Sequence, residues 1–166
     1  MNQSIASLVQ TLSGLLEKSS IKIALAESCT GGLLAAHLTA QAGSSLWFDR
    51  GFVTYSNASK TESIGVSSSI IEQYGAVSEE VAKAMAQGAL NHSAAKTSIA
   101  ITGIAGPGGS TENKPVGMVC FAWAVQFQGS PALLIASTQI FDGDRQAIRE
   151  QACEYALNEL IQILRK

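Results

Sequence analysis

Short apolar runs alternate with helically patterned segments along this chain, and each run closes on a polar or glycine-rich turn. "IKIALAE" at 21–27 leads into Ser-Cys-Thr-Gly-Gly, "WFDRGFVTYS" at 47–56 into Asn-Ala-Ser-Lys, and "TSIAITG" at 97–103 into a stretch rich in glycine and proline. Apolar runs of this length read as strands, and continuous ones as strands buried on both faces, as in parallel sheets. In open α/β sheets ligands bind beyond the carboxyl ends of the strands. The three turns, 27–32, 54–60 and 102–109, are therefore candidates for a single shared site.

The intervening segments fit that architecture. Ile5, Leu8, Val9, Leu12, Leu15 and Leu16 form a stripe at helical spacing, which predicts a helix over about 4–18. "LLAAHLTA" at 33–40 is helical by its leucine and alanine content. Ser78 announces a helix as N-cap, with Glu79 and Glu80 in the favourable first turn. Residues 104–115 carry too much glycine and proline for regular structure. "VGMVCFAWAVQF" and "ALLIASTQIF" flank Gly129-Ser130-Pro131 as an antiparallel hairpin. Ile148, Ala152, Tyr155, Ala156, Leu160, Ile163 and Leu164 give a closing helix one apolar face. The expectation is one α/β domain over 1–166, three-layered (α/β/α), with a mixed, partly antiparallel sheet.

Composition narrows the function classes. With 46% hydrophobic and 14% charged residues the chain has ample core, which argues against disorder. A net charge of −2 leaves no broad basic face, so no nucleic-acid partner is expected. No run approaches the ~20 apolar residues of a membrane span, and the first residues lack the basic start and apolar run of a signal peptide. Cys29, Cys120 and Cys153 are widely spaced with no C-x-x-C pair, as in a reduced, cytoplasmic protein. No clustered His/Asp set suits a metal.

The first turn places Ser28, Cys29 and Thr30 directly before Gly31 and Gly32, so it reads as nucleophile, anion cradle or helix cap. Histidine is scarce. His37 lies nine residues beyond Ser28, about 13 Å of helical rise, and His92 suits a helix C-terminus, so a Ser-His-Asp triad is disfavoured. Cys29 at a helix start reads either as a reactive thiol or as a small semi-buried residue. The second turn offers Tyr55, Asn57 and Lys60. A phenol and an amine are the usual means of deprotonating a serine without histidine, while a solvated turn entering a helix is the plainer reading. The third turn, with Thr102, Gly103, Gly106, Pro107, Gly108 and Gly109, matches neither the Walker nor the dinucleotide pattern and reads as a ligand-wrapping loop or a plain turn. Near the C-terminus, Arg145 reads as a clamp for phosphate or carboxylate, or as one of several helix-end charges with Asp142, Asp144 and Arg149.

Six motifs then occur in fixed order: "AESCTGG", "GFVTYSNASK", "GAVSEEVAKAMAQGAL", "ITGIAGPGG", "KPVGMV" and "FDGDRQAIREQA". Together they resemble the C-terminal domain family of the competence/damage-inducible protein CinA, whose stand-alone members are bacterial nicotinamide-nucleotide amidases. The resemblance runs from about residue 5 to the C-terminus. It implies hydrolysis of nicotinamide mononucleotide (NMN) to nicotinic acid mononucleotide and ammonia, within pyridine-nucleotide recycling. Longer relatives carry a further N-terminal domain with a pyrophosphatase activity, for which 166 residues leave no room.

The family's serine falls on Ser28, and its tyrosine and lysine assistants fall on Tyr55 and Lys60. The resulting expectation has Ser28 attack the carboxamide while Lys60 or Tyr55 relays the proton. Backbone N–H groups of Thr30, Gly31 and Gly32 hold the oxyanion. Asn57, Thr102, Gly103, Gly106, Pro107, Gly108 and Arg145 bind the nucleotide, and Glu27 meets the pyridinium cation. No metal or organic cofactor enters the scheme, and a homo-oligomer, dimer favoured, is the expected assembly. The alternatives are a non-catalytic nucleotide-binding or sensing paralogue, which would bind without releasing ammonia, and an amidase for another substrate.

Overall fold

The strand sequences alternate bulky and small residues, and this alternation sets the two faces of the sheet. In the computed structural model, which describes residues 4–166, five strands pair in one sheet. The first three residues of the unit expected over 1–166 lie outside the described part. The strands are β1 (Ile23–Glu27), β2 (Phe48–Val53), β3 (Thr97–Gly103), β4 (Met118–Val125) and β5 (Leu133–Ile140). Their order is β2-β1-β3-β4-β5, parallel across β2, β1 and β3 and antiparallel across β3, β4 and β5.

Ile23, Leu25, Ile99, Ile101, Val119, Phe121 and Trp123 point to one face. There α1 (Ile5–Ser19), α2 (Leu33–Thr39) and α6 (Arg145–Leu164) cover them. Ala24, Ala26, Ala100, Cys120, Ala122 and Ala124 point to the other, under α3 (Asn57–Ile64), α4 (Ser68–Tyr74) and α5 (Glu79–Asn91). The architecture is therefore the three-layer α/β/α arrangement with a mixed sheet.

Local signals work as their chemistry dictates. Ser78 caps α5 by accepting the Val81 N–H at 3.2 Å, and Asp144 caps α6 by accepting the Ala147 N–H at 2.8 Å. Two short helices, α3 and α4, occupy the stretch between β2 and α5 that carries no clear apolar stripe. They form because Ser56 caps α3 at the Ser59 N–H and because Ile64 and Ile71 find the small-residue face of the sheet.

The tightest point of that packing is Gly88, in the middle of α5. A Cβ there would overlap the carbonyl oxygen of Ile64, at the end of α3. Glycine in a helix interior costs about 1 kcal/mol relative to alanine, so only a close approach justifies it. Gly88→Ala should therefore destabilise the protein by about 1–3 kcal/mol through overpacking, against its gain in helix propensity. Urea unfolding midpoints test this, and a midpoint above that of the parent would contradict it.

Candidate active site

Strand register brings the three turns to one end of the sheet. Glu27, the last residue of β1, pairs with Val53 on one side and Ile101 on the other. Ser28 follows at the same level, and its N–H donates to the Ile101 carbonyl at 2.9 Å. The Thr54 N–H in turn donates to the Glu27 carbonyl at 2.8 Å. Because β4 runs antiparallel to both β3 and β5, β5 points the same way as β3, and the turn from β5 into α6 reaches this end as well. A cleft of about 290 Å³ results. Ser28, Cys29, Tyr55, Asn57, Lys60 and Arg145 line it together with all of the 102–109 loop but Pro107.

Lys60 lies one turn inside α3 and is only 1% exposed. Its Nζ donates to Ser28 Oγ at 3.2 Å, to the Thr54 carbonyl at 2.9 Å and to the Tyr55 carbonyl at 3.3 Å. Burial pushes its pKa below the ordinary lysine value. A carbonyl can only accept, so the two N–H bonds of a neutral amine go to Thr54 and Tyr55. The lone pair then faces Ser28 Oγ, the one neighbour of the three that can donate.

Tyr55 meets Lys60 through its backbone carbonyl rather than its ring. The phenol is 58% exposed and accepts from Arg145 Nη2 at 3.0 Å. No hydrogen bond joins it to Ser28 or Lys60 among the described residues, so the expected phenolic relay has no path in this geometry. Arg145 also donates from Nη1 to the Gly106 carbonyl at 2.7 Å. Its guanidinium thus ties the rim of the cleft to the glycine loop, rather than pairing with Asp142 or Asp144.

Glu27 differs most from expectation. Its carboxylate is 1% exposed and accepts the N–H groups of Gly32 (3.1 Å), Leu34 (3.1 Å) and Ala35 (2.8 Å). It fills the N-terminus of α2 as an internal anion, held by the same donors that would hold a bound phosphate, and is not turned to the cleft. The side chain of Thr30 therefore does not cap α2. Its Oγ1 is buried without a partner, and Gly32 occupies the cap position at φ 98°.

The expected oxyanion donors shift by the same logic. The Gly31 N–H is spent on the Ser28 carbonyl (3.0 Å) and the Gly32 N–H on Glu27. The N–H groups of Cys29 and Thr30 donate to no atom of the described residues. Those of Ala105, Gly106, Gly108 and Gly109 are likewise uncommitted around the cleft. Thr102 spends its hydroxyl on the Ala76 carbonyl (2.8 Å), and its residue still lines the cleft, as do Gly103 and Asn57; Pro107 does not.

Neither histidine reaches the cleft. His37 pairs with Glu150 at 2.9 Å, and His92 bonds the Gly88 carbonyl at 2.8 Å through Nδ1, at the C-terminus of α5. Among the described residues no three His, Cys, Asp or Glu side chains cluster as metal ligands. No helix among the described residues is long and apolar enough to cross a membrane. Arg149, noted in the sequence only as a helix-end charge, bonds the carbonyls of Cys29 and Thr30. The available signal was its position one turn after Arg145, on the same face of α6.

The CinA C-terminal domain profile matches residues 5–164. The chain belongs to this family. It is 52% identical over 135 residues to the nicotinamide-nucleotide amidohydrolase PncC of Enterobacter agglomerans, covering 81% of this chain and 80% of that one. It is 43% identical over 159 residues to the PncC of Pseudomonas putida, covering 96% of each. The crystal structure of the competence/damage-inducible protein CihA from Agrobacterium tumefaciens superposes over the whole of both chains with a TM-score of 0.89 at 39% identity. Other relatives are longer: the chain spans 37% of a CinA-like protein from Chlorobium luteolum.

Burial disfavours the thiolate form of the cysteine beside Ser28. Burial pushes the Cys29 pKa up to about 12, and burial likewise raises those of Cys120 and Cys153. At pH 8 the thiol form of Cys29 therefore dominates. Iodoacetamide should therefore leave all three cysteines unmodified in the native protein and label all three in denaturant. Fast native labelling at Cys29, read by peptide mass spectrometry, would contradict this.

Proposed function

We propose that this chain hydrolyses the carboxamide of nicotinamide mononucleotide to nicotinic acid mononucleotide and ammonia, with Ser28 as nucleophile and Lys60 as the base. The observation that carries the reading is the buried amine of Lys60, 3.2 Å from Ser28 Oγ with its two other contacts taken by carbonyls. Kinship with the two PncC amidohydrolases supplies the substrate.

An amide is a poor electrophile, so the site must deprotonate a hydroxyl, hold an oxyanion and protonate the departing nitrogen. Ser28 Oγ attacks the carboxamide carbon as its proton passes to the neutral amine of Lys60. The resulting ammonium faces three oxygen acceptors, the arrangement its three N–H bonds need. The Cys29 N–H, on the wall of the cleft, holds the developing oxyanion. Collapse breaks the C–N bond, and the Lys60 ammonium protonates the leaving nitrogen as ammonia. Water then attacks the acyl-serine, giving its proton to Lys60, which returns one to Ser28.

The nucleotide portion lies against the 105–109 loop, whose uncommitted N–H groups suit anionic oxygens, and against Arg145 at the rim. Tyr55 holds Arg145 through its phenol and Lys60 through its carbonyl. The working setting is the cytoplasm, and the assembly is a homo-oligomer.

Ser28→Ala should abolish ammonia release from the mononucleotide, a loss of at least about 10³-fold, and leave the melting temperature near that of the parent. Turnover within an order of magnitude of the parent would remove Ser28 from the role. Mononucleotide binding by the parent protein without any ammonia would instead favour the sensing module.

A further inference from the structure

Arg149 does not line the cleft, yet its guanidinium grips the loop that carries Ser28. Nε donates to the Cys29 carbonyl at 3.2 Å and Nη2 to the Thr30 carbonyl at 2.8 Å. Nη1 is held on its own helix by Gln146 Oε1 at 3.0 Å. The accepting carbonyls belong to the second and third residues of the Ser28-Cys29-Thr30 run.

A trans peptide holds its N–H antiparallel to its carbonyl. Fixing the Cys29 carbonyl toward α6 therefore turns the Thr30 N–H the other way. That N–H donates to no atom of the described residues, and neither does the Cys29 N–H before it. The far end of the loop is anchored separately, by Glu27 at Gly32, Leu34 and Ala35. Between the two anchors lie Gly31 at φ 58° and Gly32 at φ 98°. Cys29–Thr30 is the central peptide of the Ser28–Gly31 turn, closed by the Gly31 N–H on the Ser28 carbonyl. A central turn peptide can rotate without breaking that bond, so its orientation needs an external hold. A cation on the carbonyl also polarises the peptide and strengthens its N–H as a donor.

We propose that Arg149 is a positioning residue for amide hydrolysis: its fork sets and polarises the peptides after Ser28, holding the loop so that Ser28 Oγ and the Cys29 N–H beside it on the cleft wall keep their aim at the reacting carboxamide. The proposal rests on the amidase reading above. It divides two arginines one helical turn apart between the nucleotide rim (Arg145) and the loop that carries Ser28 (Arg149). It also separates Arg149 from substrate binding, because the interaction it supports strengthens only as charge develops.

The test is steady-state ammonia release by the purified parent, Arg149→Ala and Arg149→Lys, with nicotinic acid mononucleotide affinity measured by calorimetry. Loss of one oxyanion donor costs about 10²–10³ in kcat, so Arg149→Ala should lose about a hundredfold in kcat. KM and product affinity should stay within about threefold, the pattern of an interaction made in the transition state. Arg149→Lys should fall between the two, since an ammonium is a point charge without the bidentate fork. Millimolar guanidinium should restore part of the Arg149→Ala rate.

A kcat for Arg149→Ala near that of the parent, or a loss confined to KM and product affinity, would overturn the proposal. Should Arg149→Ala fail to fold, Arg149→Lys decides by the same split between kcat and KM. A parent protein that releases no ammonia overturns the amidase reading itself and this proposal with it, whereas an active parent with an unimpaired Arg149→Ala overturns this proposal alone.

Discussion

A lysine amine removed from water beside a serine hydroxyl is the interaction on which the arrangement of this molecule turns. Burial disfavours the ammonium form, and two carbonyls that can only accept fix the direction of the remaining lone pair. The same three oxygens then stabilise the ammonium once a proton arrives. The Lys60 environment therefore supports both protonation states that the proposed serine–lysine mechanism uses. An amine in bulk water would be charged at neutral pH and could not accept a proton.

Holding that amine in place depends on features remote from it. The strands turn alanines and a cysteine toward α5, so that helix lies close to the sheet, and Gly88 lets α3 lie close to α5. Only then does Lys60 reach inward under Ser28 rather than outward into solvent. On the opposite face the bulky residues of the same strands support α2 and α6, whose contributions converge on one loop. Glu27 secures its N–H groups and Arg149 its carbonyls, leaving the Cys29 and Thr30 N–H groups uncommitted.

Much of this was legible in the sequence. Apolar runs ending in polar turns located the strands and the shared end of the sheet, and the Ser78 cap and the apolar stripes located three of the long helices. What escaped was direction. Glu27, next to Ser28, reads as a ligand for a cation, but in the fold its carboxylate caps α2 instead. Tyr55 reads as a phenol, yet the group that meets Lys60 is its carbonyl. Lys60 itself reads equally as a solvated charge, because burial of a short polar helix such as α3 depends on a gap in α5 that sequence spacing does not reveal. Arg149 was visible as a charge and not as a hydrogen-bond fork, since its partners are carbonyls 119 and 120 residues away. Side-chain-to-backbone contacts over that range leave no local pattern.

Nitrogen-detected NMR of lysine Nζ measures the protonation of the buried Lys60 amine directly. Lys60 should titrate below the ordinary value of 10.5, apart from the exposed lysines, because burial penalises its charged form. A base must be neutral to act, so kcat/KM for ammonia release should rise with pH through that same midpoint. Lys60 titrating together with the exposed lysines, or a rate profile indifferent to its midpoint, would contradict the account.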